Sequence, residues 1–319
     1  MDLNDLVGER SRYRSLCLAE NSRKVYRTGV NQYRRFCGSV GMPPFPLNQQ
    51  CLELFCTWLA RSVRYKTIKV YLCGVQIDSI LSGFDDLIRH MLGLRYLLRG
   101  IKRAQGLVHV RPVRVPVTRA MLGEVIRGVG MFYPFGDAQM LVAALSLAFF
   151  GLLRVSEYTS PGENRWLPDA TLSIHDVGVD WMRQVVMVRL KVSKTDPFRS
   201  GVTVRVCATG SEVCPFASMV RYLGVRGPGV GPLFLFRDGR FLSRGHVASV
   251  LQRFLPHYQV NTHSLRKGGA TALAHLGVPP YVIQALGKWA SDAYLTYIGL
   301  SDDFVRGVQQ GMSRGGFSP

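Results

Sequence analysis

Two stretches near the C-terminus decide how this chain is read: His263-Ser-Leu-Arg266-Lys-Gly-Gly-Ala-Thr-Ala-Leu-Ala274, and Leu286-Gly-Lys-Trp289-Ala-Ser-Asp-Ala-Tyr294-Leu-Thr-Tyr297-Ile298. In the first, His263 and Arg266 stand three residues apart, which puts them on one face at the start of a helix. The small residues that follow permit close backbone packing, so that face is expected to sit buried in a crowded site. The second stretch adds an indole donor and two tyrosines. Taken alone, His-x-x-Arg is a weak motif.

Upstream, the apolar run from Met140 to Leu153 is too short to span a bilayer and stops at Arg154, in Leu153-Arg154-Val-Ser-Glu157. A guanidinium at the end of a buried helix needs an anionic partner, and Glu157 is the candidate brace. A plain helix-end ion pair explains Arg154 and Glu157 equally well when they are read alone. Between them and the His-x-x-Arg stretch, Thr171 to Val179, Gln184 to Val192 and Val202 to Cys207 are short β-type runs that predict a small antiparallel sheet. Lys191-Val-Ser-Lys194-Thr-Asp lies in the turn between the last two runs. Lys194 is the favoured functional lysine there, Lys191 its rival, and an exposed turn lysine the bland alternative.

The N-terminal third reads as a helical bundle, with apolar residues at helical spacing over 21–40 and further helices over 49–59, 65–80 and 86–101. Arg23, Lys24, Arg27, Lys66, Lys69, Arg99, Lys102 and Arg103 give these helices basic faces. Pro112 and Pro116 interrupt any continuous helix, so residues 109–117 read as a linker. A capped helix from Thr118 and the apolar helix ending near Leu153 then open a second domain. Helices over 215–223, 246–254, 264–276, 280–286 and 293–298 complete it, and residues 302–319 read as a flexible tail.

The 319 residues carry a formal net charge of +19, and residues 1–115 hold 19 Lys and Arg against 8 Asp and Glu. So basic a chain expects a polyanionic partner, nucleic acid ahead of a membrane surface. The 47% hydrophobic content builds real cores and excludes disorder as the main state. Seven scattered cysteines without a Cys-x-x-Cys pair indicate neither a disulfide framework nor a zinc site. The polar N-terminus carries no secretory signal, so a nuclear or cytoplasmic location is expected. The six other histidines show no metal-ligand spacing, and no metal or cofactor is expected.

Taken in chain order, Arg154, Lys194, His263, Arg266, Trp289 and Tyr297 resemble the signature of the tyrosine recombinase (phage-integrase) family. The wording of the two opening stretches is most similar to recombinases of eukaryotic mobile elements of the DIRS and Ngaro type. The resemblance implies a mainly α fold with a small antiparallel sheet: a helical, SAM-like core-binding domain over 1–108 and a catalytic domain over 118–301. It implies double-stranded DNA as partner, a homotetramer on DNA with a dimer at each site, and a monomer or weak association without DNA. It also implies roles. Arg154, Arg266, His263 and the Trp289 indole would hold the scissile phosphate, Lys194 would protonate the leaving 5′ oxygen, and Tyr297 would form a 3′-phosphotyrosyl link. The Trp289 to Tyr297 interval is one residue shorter than in most bacterial and phage members, which keeps Tyr294 open as the nucleophile. A type IB topoisomerase and a catalytically silent DNA-binding module are the alternative functions.

Overall fold

A computed structural model describes residues 2–108, 114–193, 196, 200–296 and 302–313. The chain forms two compact units, Met1–Arg111 and Pro112–Pro319.

The first unit is built of α1 (Leu3–Leu16), α2 (Glu20–Val40), α3 (Gln49–Ala60), α4 (Tyr65–Leu81) and α5 (Leu92–Val108). Along α2 the buried residues Val30, Tyr33, Phe36 and Cys37 recur at helical spacing, and Gly41 ends the helix with a left-handed φ of 69°. Asn48 caps α3 by accepting a hydrogen bond from the Cys51 amide (3.1 Å). Helices α2 and α4 meet backbone to backbone. A Cβ at Gly29 would stand 2.6 Å from the Tyr71 Cα, and one at Gly74 would stand 2.7 Å from the Tyr26 carbonyl oxygen. The helix expected over 86–101 is divided. Asp86 accepts from Gln76 of α4 and from Arg89, which fastens this segment as a single 3-10 turn, Ile88–His90, before α5 begins. Helix α1 is not among the expected helices; its apolar residues Leu3, Leu6, Val7, Tyr13 and Leu16 are all exposed.

The second unit contains α6 (Arg119–Phe132), α7 (Phe135–Phe150), α8 (Val155–Tyr158), β1 (Val177–Asp180), β2 (Val185–Leu190), β3 (Val202–Cys207), α9 (Pro215–Arg226), α10 (Arg244–Phe254), α11 (Thr262–His275), α12 (Pro280–Leu286) and α13 (Asp302–Ser313). The Thr118 hydroxyl caps α6. Helix α7 is buried along most of its length and forms the centre of the core. The sheet is antiparallel in the order β1-β2-β3, with Val186 opposite Val206 and Val188 opposite Val204. These four valines and Leu190 turn inward, as alternation along a half-covered sheet requires. The molecule is thus mainly α with a small antiparallel sheet, as the sequence predicts.

Three further expectations need correction. Residues 171–176 are not strand: Ser173 and Asp176 exchange hydrogen bonds that wind a 3-10 turn, and β1 begins only at Val177. Residues 114–117, expected as linker, belong to the second unit. Val115 and Val117 donate to the carbonyls of Gln259 (3.1 Å) and Ser264 (2.9 Å), and Val117 is fully buried. The tail is not flexible throughout, since α13 occupies 302–313.

Candidate active site

Helix α11 begins at Thr262, where the Asn261 side chain accepts from the His263 amide (2.9 Å) and Asn261's own amide donates to the Ser264 hydroxyl (3.1 Å). That reciprocal cap fixes where Arg266 points. Its side chain is wholly buried. Nη1 donates to the Leu152 carbonyl (2.8 Å) and Nη2 to the Gly287 carbonyl (2.5 Å). One guanidinium therefore joins the loop after α7 to the end of α12. Both loops are bent by left-handed residues that are not glycine, Leu152 at φ 49° and Lys288 at φ 56°. Such conformations cost about 1–3 kcal/mol each and persist only where surrounding contacts impose them.

The expected close packing along α11 is present. A Cβ at Gly268 would lie 1.8 Å from the Val117 carbonyl oxygen, and one at Gly269 would lie 2.4 Å from that of Phe149. The buried face runs through Arg266 but excludes His263, which is exposed on the first turn. The expectation that both share a buried face is corrected accordingly: Thr262, Ser264 and Leu265 of the same turn are buried, and His263 lies on its one open side.

Arg154 precedes α8. Its Nη1 donates to Glu157 Oε1 (2.8 Å) and to the Ser193 hydroxyl (3.2 Å), while its backbone amide donates to Glu157 Oε2 (2.9 Å). The Ser193 hydroxyl donates in turn to Glu157 Oε1 (3.0 Å). Arg266 Nη1 lies 3.9 Å from Glu157 Oε2. One almost completely buried carboxylate thus serves both arginines. The ring of Trp289 lies beneath the Arg266 guanidinium and packs on the buried Tyr294.

Two residues went unassigned in the sequence. Ser193 joins Arg154 to Glu157, and no sequence signal marks it. The half-buried Lys288 sends Nζ to 3.4 Å from the Gly151 carbonyl. Burial pushes its ammonium down to about 8, against the pull of Glu157 and with the Arg266 and Arg154 charges adding to the depression. A lysine wedged between a helix-ending glycine and a tryptophan was the signal available.

Lys194 and Tyr297 lie outside the described residues. Lys194 directly follows Ser193 in the chain, and Tyr297 directly follows the 3-10 turn Asp292–Thr296. The rival Lys191 is engaged elsewhere: Nζ pairs with Asp176 (2.8 Å) and donates to the Pro168 carbonyl (2.8 Å).

In the helical unit, all eight expected basic residues are exposed. Lys66 and Lys102 meet at a cavity of about 690 Å³ that Arg61, Arg64 and Tyr65 also line. Arg99, Lys102 and Arg103 line a smaller one of about 280 Å³. Arg23, Lys24 and Arg27 stand on α2, where Lys24 pairs with Glu20, and Lys69 stands on α4. Among the described residues no group of His, Cys, Asp and Glu is placed to hold a metal ion, and no helix is long and apolar enough to cross a membrane.

No model of a protein family matches the sequence, and no curated protein matches it. Solved structures do match its fold. The Tn1549 transposon integrase, in complex with transposon right end DNA, covers 98% of this chain over 100% of its own, with a TM-score of 0.60 and 16% identity. The XerH site-specific recombinase bound to its difH substrate covers 90% over 78% of its own, with a TM-score of 0.57 and 12% identity. A lambda integrase dimer bound to a core site covers 91% over 75%, with a TM-score of 0.53 and 12% identity. The arrangement of a helical unit followed by a helical unit with a three-stranded sheet is the tyrosine recombinase fold.

Proposed function

We propose that this protein is a site-specific DNA recombinase or integrase that cuts and rejoins DNA strands through Tyr297. The observation that carries this reading is the convergence of two guanidiniums, Arg154 and Arg266, on the one buried carboxylate of Glu157, with Lys288 beside them. Guanidiniums gathered in this way are donors suited to the non-bridging oxygens of a phosphodiester. Arg154 and Arg266 would hold its non-bridging oxygens and stabilise the extra charge of the pentacovalent transition state. The exposed His263 would add a donor at the mouth of the site. The Tyr297 oxygen attacks phosphorus, giving up its proton to solvent; the bond to the 5′ oxygen breaks, and Lys194 protonates that oxygen. The burial of Tyr294 and the engagement of Lys191 elsewhere favour Tyr297 and Lys194 in these roles. The basic helical unit grips double-stranded DNA, and the active assembly is a tetramer, a dimer on each of two sites. The wording shared with DIRS and Ngaro-type recombinases favours a mobile-element origin and a nuclear location.

Incubation with nicked duplex sites tests the reading. Wild type should yield a denaturation-resistant protein–DNA adduct that Tyr297→Phe does not. An adduct in equal yield from Tyr297→Phe would overturn the nucleophile, and relaxation of plasmid lacking any cognate site would favour a topoisomerase.

A further inference from the structure

We propose that the cavity of about 690 Å³ in the helical unit binds a nucleoside phosphate, with the phosphate at its cationic rim and the base against the Tyr65 ring. The nucleotide is either free or an unstacked member of a DNA strand. This goes beyond the grip on duplex DNA and depends on no chemistry at Arg154 and Arg266.

The cavity lies between the turn joining α3 to α4 and the C-terminal end of α5, and one side chain ties its walls together. Gln105 of α5 accepts through Oε1 from the Tyr65 amide (2.6 Å), while its Nε2 donates to the carbonyls of Val63 (2.9 Å) and Ala60 (3.3 Å). The whole hydrogen-bonding capacity of that amide is spent on backbone groups 40 to 45 residues away, which fixes the concavity before any ligand arrives. Its volume falls within the range of small-ligand sites, about 300–1,000 Å³.

Four cations line it, Arg61, Arg64, Lys66 and Lys102, and no Asp or Glu does. Elsewhere in this unit Lys24 pairs with Glu20, Arg34 with Asp78 and Arg89 with Asp86; among the described residues none of these four pairs with a carboxylate. A cleft lined by one sign of charge over low-dielectric walls focuses the field on an anion. Between the cations the lining is apolar, supplied by Val63, Ile101 and Ala104 with the half-buried Tyr65. A phosphate alone would leave those walls and most of the space unused. A nucleobase uses both, because its flat face stacks on an aromatic ring whatever the base. Lys102 Nζ lies 6.0 Å from the centre of the Tyr65 ring, so a stacked base carrying a phosphate meets ring and ammonium together.

The test titrates the full chain, in a calorimeter, with 2′-deoxyadenosine 5′-monophosphate and with inorganic phosphate. The nucleotide should bind wild type about 10-fold more tightly than phosphate, because stacking adds to the ionic contacts. Tyr65→Leu should weaken the nucleotide by about 10-fold and leave phosphate unchanged, whereas Tyr65→Phe, which keeps the ring, should bind both as wild type does. These variants assign the binding to this cavity. Equal affinity of wild type for nucleotide and phosphate, or an unchanged nucleotide affinity in Tyr65→Leu, would overturn the proposal. Should Tyr65→Leu lose its fold, the comparison of nucleotide with phosphate on wild type decides. A second arm separates the two sources. For a strand nucleotide, a duplex with one unpaired thymidine should bind more tightly than a fully paired duplex, and the monophosphate should compete for that extra affinity. For a free nucleotide, the two duplexes should bind alike, and the monophosphate should bind the DNA-loaded protein as it binds the protein alone. Adduct formation enters neither readout, so failure of the recombinase reading leaves the nucleotide site standing.

Discussion

The ring centroid of Trp289 lies 4.2 Å from the guanidinium carbon of Arg266, closer than any other cation–aromatic pair described in the molecule. A desolvated stack of this kind contributes about 2 kcal/mol and holds the guanidinium plane in one orientation. Trp289→Leu should therefore slow adduct formation by about 30-fold, and Trp289→Phe, which keeps a ring, by much less. Equal losses would return the role to the indole N–H as a phosphate donor.

Glu157 neutralises part of two buried guanidiniums, so its removal leaves charge buried without compensation. Glu157→Ala should destabilise the second unit by about 3–5 kcal/mol, and Glu157→Gln by less, because an amide still accepts one hydrogen bond. Urea unfolding followed by tryptophan fluorescence measures this; Trp166, Trp181 and Trp289 all report on that unit.

Gly268→Ala would set a methyl group against the carbonyl of Val117, a backbone atom that no rotamer change can clear. The expected cost is about 1–3 kcal/mol, well above any gain in helix propensity from alanine. The segment 114–117 should come away from α11, and trypsin should cut faster after Arg114. An unchanged cleavage rate and melting temperature would show that the close approach is not maintained in solution.

Lys66 and Lys102, gathered at one cavity of the helical unit, should act on affinity rather than on chemistry. Alanine at either should weaken binding to all sequences alike and reduce the slope of log affinity against log salt by about 1. Arg154→Ala and Arg266→Ala should instead abolish the adduct while largely sparing affinity. Affinity falling in step with adduct formation in the two arginine variants would mean that they too are only grip.

Lys288 also makes stability depend on pH, with a sign that can be worked out. Its ammonium titrates near 8 in the folded chain and near 10.5 when unfolded. Between those values the unfolded state binds more protons, so stability rises with pH over that window. Lys288→Met should be more stable than wild type below pH 8, and the gap should narrow toward pH 10, as followed by melting temperature.

The sequence exposes the parts of this protein that have periodicity and conceals those that depend on distant partners. The spacing of Val30, Tyr33 and Phe36 marks α2, and the inward valines mark β2 and β3, because burial repeats with the geometry of each element. The motif residues Arg154, Arg266 and Trp289 are legible as types in order, and the fold brings them together. Lys288 and Ser193 were not legible. Their significance comes from Gly151, Glu157 and Arg154, between 36 and 137 residues away along the chain. The burial difference between His263 and Arg266 is hidden for a related reason: a spacing of three makes two side chains neighbours on the helix surface, and the edge of the buried face falls between them. The division of 86–101 and the docking of 114–117 likewise depend on particular hydrogen-bond partners, Gln76 for the first and Gln259 and Ser264 for the second, that local pattern does not reveal.

The tie from Arg266 to Gly287 makes assembly of the arginine cluster a local equilibrium. Helix α12 has only seven residues, of which Ile283 alone is buried. Segments with so little apolar anchorage detach at free energies well below global unfolding. When α12 lifts, Arg266 loses the Gly287 carbonyl, Trp289 leaves the guanidinium, and Lys288 departs with them, while the core around α7 stays folded. Amide exchange over 280–289 therefore gauges the fraction of molecules in which this cluster is assembled, and that fraction can change with no change in the melting temperature of the whole protein.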